Sequence, residues 1–270
     1  MPPQFLMAVG LSLALFPAFR AGAAENARSP SKPVFLYSRH FNAVGESRYL
    51  PDGSYRDLLG KLAGEFEVRV QDGTWSEQSL VGVNVVLIAN PSEHAVGTNP
   101  PPRRIRGRDA EILWQYVQRG GGLIVMGNQE NHNLETHDLN GLLARCGLMF
   151  TNDYTDAKAI SLGRGVPWLG GLRWAYYTGN SITLQAGHTA RPRCVVANDV
   201  TQTPLGGPRN APGCLLAMAE PGRGRVVVVT DAGWLTDDAL SGKGIGPVAI
   251  KEHDNWEIFR RLARWSAGPP

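Results

Sequence analysis

The sequence predicts an α/β fold with a mostly parallel central sheet and an antiparallel, β-rich extension. Three observations carry this expectation. Uninterrupted apolar runs at 85–88, 123–126 and 226–229 each give way to a polar turn holding Gly or Pro, which is how strands covered on both faces read. Helix-period apolar stripes alternate with the strands through the first 150 residues, so right-handed crossovers between parallel strands are expected. From 150 to 225 the pattern changes to short β-like runs separated by Gly, Pro and Asn.

In order along the chain, residues 33–37 read as a first strand ending in Ser38-Arg39-His40. Ser54 looks like an N-cap with Asp57 in the first turn, ahead of the stripe Leu58, Leu59, Leu62 and Ala63. Residues 67–70 alternate and so suit a sheet edge. Residues 83–89 form a buried strand ending at Asn90-Pro91-Ser92-Glu93-His94. Asp109 is a candidate cap for a helix with face Ile112, Leu113, Tyr116 and Val117, stopped by Gly120. The central strand, 123–126, gives way to Gly127-Asn128-Gln129-Glu130-Asn131-His132. Asp138 is a candidate cap for a helix with face Leu139, Leu142, Leu143 and Cys146 at i, i+3, i+4, i+7 spacing. Runs at 159–162, 181–184, 194–197 and 214–219 make up the extension. Residues 225–230 form a deep strand ending at Asp231-Ala232-Gly233-Trp234. The last helix starts at Asp254, with Glu257 completing a near capping box, and turns Ile258, Phe259, Leu262 and Trp265 inward.

Residues 5–19 are apolar and Ala21-Gly22-Ala23 supplies a small-residue cleavage pattern, as in an export signal. The run is shorter than the ~20 residues of a spanning helix. The expected organisation is a signal peptide over 1–24 and a domain over 33–266 with the extension at 150–225. The product is then periplasmic or extracellular, with no membrane association after cleavage. The chain carries +3; the leader holds Arg20 and no acid, so the mature part is +2, as 3 − 1, which gives no basis for nucleic-acid binding. Of the three cysteines, export would permit one disulfide, for which Cys194 and Cys214, both in the strand-rich half, are the candidate couple. The alternative is that all three are small buried residues, as Cys146 is read.

Stretches 86–91, 116–127 and 222–235, with Asp254-Asn255, resemble the class I glutamine amidotransferase-like superfamily, in particular its uncharacterised members, over roughly 33–266. The resemblance implies a flavodoxin-like three-layer sandwich. Catalytic members of that superfamily carry a Cys on the sharp turn after the central strand and a His and Glu after a late strand. Here those places read Gly127-Asn128-Gln129 and Asp231-Ala232-Gly233, so glutaminase and peptidase chemistry lack their nucleophile. Nucleophile-free relatives, such as trehalose-utilisation-type proteins, imply a carbohydrate role.

Ligands in open α/β sheets bind beyond the carboxyl ends of the strands. The expected ligand-binding residues are therefore Arg39, His40, Asn90, Glu93, His94, Asn128, His132 and Trp234. Amides, carboxylates and imidazoles beside one aromatic suit a small, hydroxyl-rich ligand, plausibly a carbohydrate. Glu130 and Asp231, at the ends of adjacent central strands, form a candidate catalytic carboxylate pair. A metal site at Glu130, His132, Glu135 and His137, with His94 approaching, would allow hydrolysis by activated water. Its spacing matches no zinc signature, however, so no metal or cofactor is assigned. An interaction module is the third reading, and whether the chain is an enzyme stays open, as does its oligomeric state.

Overall fold

Strands β1 (Val34–Ser38), β2 (Glu67–Gln71), β3 (Val83–Ala89) and β4 (Gly122–Met126) run parallel. They are joined in the computed structural model by β11 (Arg225–Val229), also parallel and paired to β4. The model describes residues 31–129, 132–163 and 165–269; the expected signal peptide and Glu130 lie outside the described residues. Lys32–Pro270 forms one compact unit. No helix among the described residues is long and apolar enough to cross a membrane.

Between β4 and β11 in the chain come β5 (Leu148–Phe150), β6 (Lys158–Ser161), β7 (Arg173–Tyr176), β8 (Ile182–Leu184), β9 (Arg193–Ala197) and β10 (Cys214–Ala219). The main sheet runs β2-β1-β3-β4-β11-β10-β8-β5, with β9 paired to β10 off that path. Every pairing beyond β11 is antiparallel. β6 and β7 form a separate antiparallel pair. The chain is thus α/β with a mixed sheet. The sequence pattern missed β5 and β7, whose three and four residues are too short for a period to register.

Alternate side chains of the central strands enter two cores. Phe35, Tyr37, Leu87, Ile124 and Val227 enter one, where α1 (Arg56–Leu62) brings Leu58 and Leu62 and α5 (Asn255–Ala267) brings Ile258, Phe259 and Leu262. Leu36, Val86, Ile88, Leu123 and Val226 enter the other, with Leu113 and Val117 from α2 (Gly107–Gln118) and Leu139 and Leu142 from α3 (His137–Leu143). Helices on both faces explain why these strands read as continuous apolar runs. A short helix, α4 (Asp237–Leu240), follows β11.

Helix capping is where local reading fails. α1 begins one turn position later than expected, and the Ser54 hydroxyl accepts from Tyr49 N at 3.2 Å instead of capping it. The Asp57 amide is met by Asp237 Oδ1 at 2.9 Å, from 180 residues away. α2 starts at Gly107, so Asp109 falls inside its first turn. At α3 the cap is Glu135, not Asp138: its two oxygens accept from Asp138 N at 2.9 Å and Leu139 N at 3.0 Å. Asp254 occupies the N-cap of α5 but spends its carboxylate on Arg173 N at 2.7 Å, while Glu257 pairs with Arg260 and Arg261. At α1 and α5 a partner far along the chain takes the place of the local one.

Cys194 and Cys214 are joined in a disulfide that ties β9 to β10 across 20 residues, and Cys146 is free and buried. Loop closure of that length contributes about 3 kcal/mol. Reduction, or the double change Cys194→Ser and Cys214→Ser, is therefore expected to lower the free energy of unfolding in urea by that amount, and the midpoint with it. An unchanged midpoint would show that the bridge does not constrain the unfolded chain.

Candidate functional site

The strand order reverses between β1 and β3: the chain leaves β1 for β2 on one side and later returns to its other side as β3. Such a switch point opens a crevice at the carboxyl ends of the strands. Four side chains meet there. Asn90, directly after β3, adopts φ 45°, a left-handed conformation that Asn enters more readily than most residues. Its Nδ2 donates to Glu46 Oε2 at 3.4 Å and to the His132 carbonyl at 3.2 Å. Gln129 Nε2 lies 3.2 Å from His132 Nε2. Glu46, Asn90, His132 and Gln129 therefore form one contiguous polar chain along the ends of β1, β3 and β4.

Around it, Asn42 Oδ1 accepts from Ala89 N at 2.7 Å, fastening the loop after β1 to β3. Asn128 Nδ2 donates to the Tyr49 hydroxyl at 2.5 Å, and its Oδ1 accepts from Gln129 N at 2.9 Å. Arg48, half exposed, approaches Glu46 Oε2 at 3.6 Å.

Burial shapes the electrostatics of this crevice. Burial raises the Glu46 carboxyl above its usual range, against the pull of Arg48. Burial, assisted by Arg48, lowers the His132 imidazole to about 4, so the ring is neutral near pH 7. Glu46 Oε1, Asn90 Oδ1, Gln129 Oε1 and His132 Nδ1 are buried and have no hydrogen-bond partner among the described residues. A buried acceptor without a partner costs roughly 1–3 kcal/mol, so this concentration marks the crevice as a place with unspent hydrogen-bonding capacity.

Of the residues expected from sequence, the structure brings together Asn90, Asn128 and His132. His94 is exposed at the border of the cluster, close enough to Glu46 to act on its charge. Glu93 is exposed, with its carboxylate 4.0 Å from Arg104. Arg39 bridges Asp52 at 3.2 Å and Asp72 at 3.7 Å, and His40 Nδ1 meets the Asp72 carbonyl at 3.0 Å. That group stands over the β2 side.

Trp234 is fully buried, with its ring 5.4 Å from Trp174 and 6.1 Å from Phe259. Asp231 is also fully buried: Oδ2 accepts from Tyr177 N at 2.7 Å and Oδ1 from Gly233 N at 2.6 Å. Glu135, His137 and Asp138 have ligand atoms within 4.8 Å of one another, but the Glu135 oxygens are engaged in holding α3 and, at 3.4 Å, Arg104.

Sequence reasoning missed Glu46, Arg48 and Tyr49 because they sit in a loop with no period. The available signal was topological: the loop follows the strand at which the sheet order turns. Two surface depressions lie elsewhere. One, of about 310 Å³, includes Glu77, Val83 and Arg119; the other, of about 460 Å³, lies between β6 and β9. Neither is lined by a buried charged or amide side chain.

No family model matches the chain. The mouse intraflagellar transport protein 52 homolog is 23% identical over 113 residues, which span 42% of this chain and 24% of that protein. The solved mmIFT52 N-terminal domain superposes with a TM-score of 0.63 at 16% identity, covering 87% of this chain and 98% of the domain. A cold-adapted β-galactosidase from Rahnella sp. R3 gives 0.51 at 13% identity, over 88% of this chain and 32% of the enzyme. ThuA-like proteins are among the similar structures; that from Bacteroides uniformis gives 0.49 at 10% identity, over 91% of this chain and 94% of that one. The superpositions at 0.63 and 0.51 show a shared fold.

Proposed function

We propose that this chain is an exported, flavodoxin-like domain of the glutamine amidotransferase-like type without amidotransferase chemistry. In this reading it binds a small polyhydroxylated ligand, a carbohydrate, in the crevice between β1, β3 and β4. The single observation that carries the reading is the chain Glu46–Asn90–His132–Gln129, largely buried and rich in acceptors without partners. A sugar hydroxyl both donates and accepts, so several hydroxyls on one rigid ring match such a surface better than a charged group does. The order β2-β1-β3-β4-β11 supports the flavodoxin-like reading, and the Cys194–Cys214 bridge supports export.

The test is thermal unfolding in the presence of neutral, amino and acidic monosaccharides. A ligand at a hundred times its dissociation constant stabilises the fold by about 2.7 kcal/mol, a rise of several degrees. Gln129→Leu keeps the side-chain volume, removes the amide and is expected to abolish that rise. If no sugar raises the midpoint, the carbohydrate reading is overturned in favour of an interaction module.

A further inference from the structure

We infer that Tyr154, carried by the β-rich extension, forms the aromatic wall of the crevice and receives the apolar face of a pyranose ring. This rests on the ligand reading above and goes beyond it by naming the wall and the ring shape it selects. Its placement follows from backbone contacts. The extension folds onto the end of β11: Gly179 lies so close to Thr230 that a Cβ at Gly179 would stand 2.1 Å from the Thr230 carbonyl oxygen. Thr155 and Gly179 exchange backbone hydrogen bonds, 2.7 Å from Thr155 N to Gly179 O and 3.1 Å in return. Tyr154 is one residue from this bridge, beside the ends of β11 and β4.

Three groups surround the ring. The Asp156 and Gln129 side chains lie near enough to the Tyr154 hydroxyl to act on its ionisation, and Gln129 is itself a member of the polar chain. The Arg209 guanidinium lies 4.5 Å from the ring centroid. Asp156 Oδ2 in turn accepts from Arg209 N at 2.8 Å. A ring fixed in this way gives a flat apolar surface at small entropic cost, with amides at its edge to meet hydroxyls. Its neighbours cannot take the role: Tyr49, Tyr55, Tyr176, Tyr177 and Trp234 are all buried, whereas Tyr154 is half-buried.

The experiment uses the full chain and isothermal titration with D-glucose, D-galactose, D-mannose and the open-chain polyol sorbitol. The best-bound sugar is expected to exceed sorbitol by about tenfold, since only a closed ring presents a flat C–H face. Tyr154→Ala should weaken that sugar by about tenfold and Tyr154→Phe by much less. Equal affinity of sorbitol and sugar, or an unchanged affinity in Tyr154→Ala, overturns the aromatic wall and leaves the crevice reading standing. No binding by the unaltered chain overturns both. The sorbitol comparison needs no variant and holds even if Tyr154→Ala does not fold.

Discussion

Replacing Asp231 with alanine is expected to destabilise the fold by on the order of 4 kcal/mol, because two buried backbone donors lose their acceptor at roughly 1–3 kcal/mol each. Those donors are Tyr177 N, just after β7, and Gly233 N, just after β11. The carboxylate therefore clamps the extension to the end of the central sheet. For a chain of this size the loss corresponds to a fall in Tm of about 10 °C. A variant as stable as the parent would show that the clamp is dispensable.

The same residue makes stability depend on pH. Burial pushes the Asp231 carboxyl from 3.8 up to about 7, against the backbone N–H groups that favour its charged form. Between those values the folded chain holds a proton that the unfolded chain has released. The contribution to stability is full below about pH 4 and is lost as pH rises through about 7. Its slope approaches ~1.4 kcal/mol per pH unit within that window. Asp231→Asn, which resembles the protonated form in shape, should lack this slope. His132, whose pKa is lowered to about 4, acts in the opposite sense between that value and its usual 6.5, gaining stability as pH rises. It does so in parent and variant alike, so the difference between their urea-unfolding free energies isolates Asp231. Parallel curves from pH 4 to 7 would refute the assignment.

Trp234→Ala is expected to cost about 3–5 kcal/mol, the range for removing a fully buried large aromatic. The ring packs edge-on against Trp174 and Phe259, so its loss opens a cavity between β7, α5 and the turn after β11. Trp234→Phe should recover much of the difference. The measurement separates two roles for the same side chain. A core residue moves the denaturation midpoint, whereas a residue stacking on ligand would move affinity and leave the midpoint where it was.

Sequence legibility followed the range of the interactions involved. β3, β4, β11, α2 and α5 were readable because burial imposes a short period on neighbouring residues, as in Val85-Val86-Leu87-Ile88 or the Ile112, Leu113, Tyr116, Val117 face. The edge position of β2 could be read from its alternation in the same way. Asn90, Asn128 and His132 could be placed at one rim because each follows a strand of the same parallel set. Glu46 could not, since only the reversal of strand order at β1 draws its loop into the crevice and buries its carboxylate.

By itself, then, the sequence determined the long buried strands, the principal helices and the general side of the sheet that carries polar groups. These follow from contacts within a few residues. Only the tertiary structure decided that Trp234 is enclosed, that Asp231 binds backbone amides, and that Glu135 rather than Asp138 holds α3. Each of these is a competition among partners brought close by the packing of the sheet, and the winner can lie up to 180 residues away, beyond the reach of any local pattern.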